Sequence, residues 1–148
     1  MSLLEIETRD ISGALDIAYL NPDYVLWMSQ PPFTVQRSQS MAVRVDDCTR
    51  GGSLIIADQP PAADLLRALG PFVTATLANP TSDYPSGMIH IRIDAIVKVV
   101  TDGDEVPLAQ RVLGWIHLKD GSAFKVRHYR DVVAQLQAAA TSRNVART

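Results

Sequence analysis

Two stretches of the chain alternate apolar residues with polar or small ones, the pattern typical of β-strands with one buried face. They are residues 41–45 and 113–118. Each is followed by a glycine pair or an Asp-Gly pair, Gly51-Gly52 and Asp120-Gly121, which tolerate the positive φ of a two-residue hairpin turn. The pattern therefore predicts two β-hairpins, whose second strands are residues 53–57 and 123–126.

A helical pattern follows each hairpin, with apolar residues at i, i+1 and i+4. The two triplets are Leu65, Leu66, Leu69 and Val132, Val133, Leu136. We expect Asp58 or Gln59 to cap the first helix and Gly70-Pro71 to end it, because proline cannot continue a helix. The second helix is predicted to begin between 129 and 131, and residues 141–148 are predicted to form a flexible polar tail.

The same order of elements occurs twice, which indicates an internal duplication. Residues 20–28 match 91–99, and residues 50–69 match 119–136, with an offset that drifts from 71 to 67. The sequence thus predicts an α+β fold of two similar β-rich units, packed around a pseudo-twofold axis as a single globule. The predicted segments are a first unit (1–70), a strand and linker loop (71–88), a second unit (89–140) and the tail (141–148).

Composition is ordinary for a globular protein, because 47% of the 148 residues are apolar and 20% are charged. The single cysteine, Cys48, cannot form an internal disulfide, and this favours a reducing compartment. No apolar stretch approaches the ~20 residues of a membrane helix. We therefore expect a soluble, cytoplasmic protein with no membrane partner.

Charge is distributed unevenly along the chain, although its net value is only -2. Residues 111–148 contain seven Lys or Arg against two Asp, a net +5, so that residues 1–110 carry -7. The cations gather around the second hairpin and the start of its helix, where they could contact phosphates. The candidate contact residues for a protein partner or a nucleic acid are Lys119, Lys125, Arg127, His128 and Arg130. The alternative interpretation is a plain solvated face.

The register of the second hairpin decides which of these side chains share a face. A two-residue turn at Asp120-Gly121 would place His117 opposite Phe124 and Trp115 opposite Val126. One face, predicted to be core, would then carry Leu113, Trp115, Phe124 and Val126. The other, mixed face would carry Ile116, Leu118, Ala123, Lys125 and Arg127.

The residues offer no catalytic, cofactor-binding or metal site. In the predicted register His117 and His128 lie roughly 13 Å apart, at ~3.3 Å per residue, so one metal ion could not bridge them. His90 alternates with isoleucines and is predicted to face solvent. Glycine-rich phosphate loops are absent. Cys48 could act as a nucleophile only if a histidine lay beside it, and no local motif predicts that pairing.

The acidic run Asp102, Asp104 and Glu105 lacks the ligand spacing of a calcium loop and is interpreted as a solvated turn. The sequence accordingly predicts no catalytic residue, no cofactor and no metal.

The chain resembles the small flagellar FlbD-like proteins in the motif Asn21-Pro22-Asp23 followed by the apolar residues 24–28. The stretches "IHLKDG", "FKV" and "VV" in the second half are also similar to that family. The resemblance covers about residues 17–69 and 89–138 and implies a non-enzymatic accessory or regulatory role. The duplication and the absence of a coherent site lead to the hypothesis of an interaction protein of unknown partner. The basic hairpin and helix start lead to the alternative of a weak nucleic-acid binder. Unpaired edge strands leave a homo-oligomer open as well.

Overall fold

The computed structural model describes residues 3–9, 14–30, 40–46, 53–79, 87–103 and 105–147. Its strands are β1 Leu4–Arg9, β2 Leu15–Leu20, β3 Val25–Ser29, β4 Met41–Val45, β5 Ser53–Gln59, β6 Phe72–Leu77, β7 Met88–Arg92, β8 Ile96–Thr101, β9 Leu113–Leu118 and β10 Ala123–Arg127. Its helices are α1 Ala62–Leu69 and α2 Tyr129–Arg147, with 3-10 turns at Pro22–Tyr24, Ile93–Ala95 and Leu108–Gln110.

All ten described strands join one antiparallel sheet, in the order β2-β1-β5-β4-β3-β7-β6-β10-β9-β8. The predicted mixed α+β class is therefore confirmed, with a single sheet and two helices. Within the described residues, no helix is long and apolar enough to cross a membrane.

The two halves of the chain use the same sequence of elements. In the described residues each has two strands, a 3-10 turn, three further strands and a helix, and the second half has one more 3-10 turn, Leu108–Gln110. Each arranges its strands in the order second, first, fifth, fourth, third. The sequence predicted a strand at residues 72–78, between the units and before the linker. As β6, this strand pairs with both β7 and β10, so it is the first strand of the second half.

The halves meet where β3 pairs with β7. A twofold axis would place the same strand of each half against its equivalent. Here the third strand of one half instead contacts the second strand of the other, which is a head-to-tail joint. The predicted pseudo-twofold packing is corrected accordingly: equivalent edges do not meet at this joint.

All five residues of β3 are buried, because the strand lies between two hydrophobic cores. Val25 and Met28 pack with α1 and the first half, whereas Leu26 and Trp27 pack in the core of the second half. Successive side chains of a regular strand point to opposite faces, and the bulge between Val25 and Trp27 places Leu26 and Trp27 on the same side. A strand between two cores therefore has no polar face. Burial between two cores therefore explains the continuous apolar run in this part of the sequence.

Helix α1 begins one residue after Pro61 and has no side-chain hydrogen bond at its N-terminus, so the predicted cap by Asp58 or Gln59 is wrong. The predicted end is confirmed, since the Gly70 N–H donates to the Leu66 carbonyl. Leu65 and Leu69 are fully buried against the first core. The pattern of apolar residues thus predicted the position of the helix correctly, whereas its predicted N-cap was wrong.

Helix α2 begins at Tyr129, within the predicted interval, and continues to Arg147. Most of the segment predicted to be a flexible tail, 141–148, is thus helical. The physical reason is composition: no Gly or Pro interrupts 129–147, and its alanines, glutamines and arginines are good helix formers.

Candidate functional site

The turn of the second hairpin contains three residues, 119–121, rather than the two predicted. Leu118 donates its N–H to the Ser122 carbonyl, and the Asp120 carboxylate accepts from both the N–H and the hydroxyl of Ser122. Gly121 has φ +90°, which favours glycine and suits a type I turn followed by a left-handed residue.

The additional turn residue shifts the register by one, so Lys125 lies opposite Trp115 and Phe124 opposite Ile116. Because side chains alternate between faces, a shift of one residue exchanges them. The predicted core face is therefore wrong for Leu113 and Trp115, and the predicted mixed face is wrong for Ile116 and Leu118. The buried set is Gly114, Ile116, Leu118 and Val126, with Phe124 in an edge-to-face contact with Trp27 at 5.6 Å between ring centroids.

The other face of β8, β9 and β10 forms the surface that we call the outer face. It carries Lys98, Val100, Leu113, Trp115, His117, Ala123, Lys125 and Arg127. The outer face combines cations with a partly exposed tryptophan, an association that the predicted register had excluded.

Lys125 lies at the centre of the outer face. Its Nζ is 2.9 Å from a carboxylate oxygen of Asp102 and 5.9 Å from the centroid of the Trp115 ring. The hydrogen bond from Lys125, aided by its positive charge and by a hydrogen bond from Trp115, lowers the pKa of the Asp102 carboxyl below its ordinary value. Asp102 belongs to the acidic run interpreted as a solvated turn, and this contact instead ties the turn to β10.

Three other candidate cations donate hydrogen bonds to backbone carbonyls. Arg127 donates to Ala78, and Lys119 reaches across the joint between the halves to Asp23. Arg130 donates to the carbonyls of Leu108 and Arg111, and its guanidinium also lies 4.8 Å from the centroid of the Tyr129 ring. These cations hold loops and strands together, so only part of their donor capacity faces solvent.

His128 connects β10 to α2 with φ +53°, a left-handed conformation that is uncommon outside glycine. Its carbonyl accepts from the Asp131 N–H in the first turn of the helix. The strand thus turns sharply into the helix at this residue. The candidate residues are close in sequence, but the structure does not bring them to one point: Lys125 and Arg127 share the outer face, whereas Arg130 bonds to the 108–111 loop.

Two polar residues of β7 lie in environments that the sequence did not predict: the solvent-facing position predicted for His90 is wrong, and the burial of Arg92 was not predicted. His90 is half-buried rather than solvent-facing, its Nδ1 lies 2.9 Å from the Thr74 hydroxyl, and burial lowers its pKa. Arg92 is 6% exposed and contacts the Asp94 carboxylate at 2.7 Å. The Nε and Nη1 of Arg92 have no hydrogen-bond partner among the described residues. Both environments depend on strands distant in sequence, so no local pattern indicated them.

The described part of the chain contains no group of three or more potential metal-ligating residues. Cys48 and Asp104 lie outside the described residues, so the nucleophile hypothesis stays untested. One open depression of about 460 Å³ is lined by Glu5, Glu7, Gln59 and Pro60. A second cavity of about 60 Å³ lies beside His128 and Asp131, with room for only one or two water molecules.

Comparison with known proteins finds no matching family model, no matching curated protein and no matching solved structure.

Proposed function

We propose that this chain is a non-enzymatic interaction module that binds a protein partner through the edges of its sheet. The observation that carries the proposal is an apolar stripe on the edge strand β2. Leu15, Ile17 and Tyr19 are 52%, 39% and 62% exposed at alternating positions of that strand.

Exposed apolar residues scattered singly are normal, but three on the same face of one edge strand are not. An edge strand also presents unpaired backbone N–H and C=O groups, which can bind another strand. The stripe therefore offers apolar contact along the edge strand, together with its outward backbone groups other than the Ile17 N–H, which already donates to the Asp16 carboxylate. The opposite edge, β8, adds Val97 and Val100 at 64% and 43% exposure.

A photo-reactive phenylalanine analogue at Tyr19 tests this function. We expect irradiation to give covalent adducts of defined mass, because the side chain at that position would lie in the interface. The same analogue at Asp64, an exposed residue of α1, is the control and should give none. Absence of adducts, together with turnover of a substrate in a broad hydrolase and transferase screen, would overturn the proposal.

The matching strand orders support an origin by duplication of one β-rich unit and its fusion to a second copy. The 3-10 turn after Asn21 also supports the resemblance to the FlbD-like proteins. In this turn the Asp23 N–H donates to the Asn21 side chain, so the Asn-Pro-Asp motif has a structural role. We also propose that the protein is cytoplasmic.

A second candidate function, weak nucleic-acid binding, is favoured by one observation on the outer face. Trp115 is partly exposed beside Lys125, with Lys98 and Arg127 on the same side of the sheet. An aromatic ring next to cations suits base stacking with phosphate contacts. The hydrogen bonds that engage Lys125 and Arg127 weaken this alternative relative to the first.

Tryptophan fluorescence separates the two functions. Trp27 is 3% exposed, so quenching by an added single-stranded oligonucleotide reports on Trp115. With three cations involved, the logarithm of the binding constant should fall with the logarithm of salt at a slope of about -2. Arg127→Glu should weaken binding for every sequence tested, and Trp115→Phe should remove the signal. Unchanged fluorescence at low salt eliminates this function.

A further inference from the structure

We propose that copies of this chain associate head-to-tail, with β8 of one copy pairing with β2 of the next. This inference rests on the proposed interaction function and names its partner as a second copy of the chain. The joint between the two halves, β3 with β7, provides the template.

The strand order shows why the outer edges are suited to each other. Inside the chain, the third strand of the first half pairs with the second strand of the second half. The two strands left at the ends of the sheet are β2, the second strand of the first half, and β8, the third strand of the second half. The edges therefore belong to the same two classes of strand that already pair within the molecule.

Local geometry places β3 and β8 in correspondence residue by residue. Each strand follows a 3-10 turn, and each has a register shift against its neighbour at the same place, so Leu26 and Val97 are the additional residues of matching bulges. The offset of 71 residues makes Lys98 the counterpart of Trp27. The same offset makes Leu20 the counterpart of Ile91 on the preceding strands.

Burial at these corresponding positions differs strongly. Leu26 is 0% and Trp27 3% exposed, because both pack in the core of the other half. Their counterparts on the outer edge, Val97 and Lys98, are exposed, Val97 to 64%. The internal joint therefore buries positions that the outer edge leaves exposed.

The opposite edge shows the same difference. Phe72, next to β7, packs against the core of the first half. Its counterpart beside β2 is Leu3, by the matching pairings of β1 with β2 and of β6 with β7, and Leu3 is 56% exposed. Both edges thus carry an apolar residue where the internal joint has a buried one.

The internal register predicts the register of the association. Trp27 lies opposite Ile91, and Met28 lies opposite His90. The corresponding intermolecular pairs are Lys98 with Leu20, Val99 with Tyr19 and Val100 with Ala18. Such a joint is heterologous, so it generates a ring or a filament rather than an isolated twofold dimer.

Lys98 limits the strength of this association. A lysine on an edge strand disfavours pairing with a further strand, and here it stands where the internal joint has a tryptophan. Lys98→Trp should therefore increase the association constant by about tenfold or more.

Sedimentation velocity over a range of concentrations provides the first test. We expect the average mass of the full chain to rise with concentration. Val97→Asp should shift the chain to monomer, whereas Leu108→Asp, at a side chain of nearly equal exposure in the loop between β8 and β9, should not. A chain that stays monomeric at all concentrations, with Lys98→Trp also monomeric, overturns the inference.

Cysteine cross-linking tests the geometry itself. In a Cys48→Ser background, Val100→Cys mixed with Ala18→Cys should form a mixed covalent dimer in excess of what either variant forms alone. Val100→Cys mixed with Tyr19→Cys is the control, because one residue of slip moves the thiol to the other face. Dominant dimers of a single variant would indicate a twofold joint and overturn the head-to-tail pairing. Failure of this joint leaves the proposed interaction function open, since adducts with another protein at Tyr19 test that function separately.

Discussion

Gly114 lies in the described part of the chain at a position where even the smallest side chain would clash with its neighbours. A Cβ added there would lie 2.6 Å from Tyr129 Cβ, 3.1 Å from Tyr129 Cγ and 3.1 Å from the Val100 carbonyl oxygen. Carbon atoms in contact are normally ~3.5 to 4.0 Å apart, so the closest pair is about 1 Å too close. We therefore predict that Gly114→Ala is strongly destabilising.

The contacts set the magnitude, because neither neighbour can move alone. Tyr129 Cβ is fixed at the first residue of α2, and the Val100 carbonyl belongs to the backbone of β8. Overpacking of this kind costs about 1 to 3 kcal/mol, and two rigid neighbours place Gly114→Ala near 3 kcal/mol. For a chain of this length, that corresponds to a decrease of about 6 to 12 °C in Tm.

Chemical denaturation of the wild type and the variant, followed by far-UV circular dichroism, measures this loss. Gly121→Ala is the contrasting variant, since its Cβ would meet nothing within 4 Å and only the φ of +90° is unfavourable. Gly121→Asn should recover part of that smaller loss, because asparagine tolerates left-handed backbone. A Gly114→Ala variant within about 0.5 kcal/mol of the wild type would refute the reasoning from close packing.

Three further predictions concern polar groups around β6 and β7. Gln135→Ala removes both side-chain hydrogen bonds to the Thr74 backbone. The free energy of unfolding, measured by urea denaturation, should fall by only about 1 kcal/mol, because the site is exposed to water. Unchanged stability would contradict the role of this amide. Burial lowers the pKa of His90 from 6.5, so the folded state favours the neutral imidazole. The free energy of unfolding should be greatest above pH 7 and decrease as the pH falls through 6.5 toward the lowered pKa. The decrease should be larger in the wild type than in His90→Gln, and equal pH profiles of the two proteins would contradict this. Arg92→Met removes a buried charge and leaves the half-exposed Asp94 hydrated, so a thermal melt should show stability within about 1 kcal/mol of the wild type or higher, whereas a loss of several kcal/mol would show that the cation is needed.

Local patterns predicted the elements of the second half well. The alternation in 113–118, the strand after Gly121 and the helix that begins at Tyr129 all depend on neighbouring residues, and the structure confirms each. Strand β1 was not predicted. Its backbone hydrogen bonds join it to β2 and β5, and all of β5 lies more than forty residues away along the chain.

The register of the second hairpin could not be decided from sequence, because Lys119-Asp120-Gly121 fits a two-residue or a three-residue turn. The choice depends on which face of β9 packs against the core, and in the structure Ile116 and Leu118 are buried there rather than Leu113 and Trp115. The candidate cations lie on the second hairpin and at the start of α2. Their partners, such as Ala78 for Arg127, are carbonyls of distant segments that leave no mark in a local pattern.

The burial of β3 in two cores has a consequence for how the protein unfolds. Leu26 and Trp27 belong to the first half by sequence but complete the core of the second, and Phe72 of the second half packs against the core of the first. Neither half therefore contains all of its own interior. A fragment beginning at Phe72 would lack both side chains and expose the hydrophobic surface that they cover. The two halves should therefore melt as one cooperative unit, and a substitution in β3 should be felt in the hydrogen-exchange protection of both.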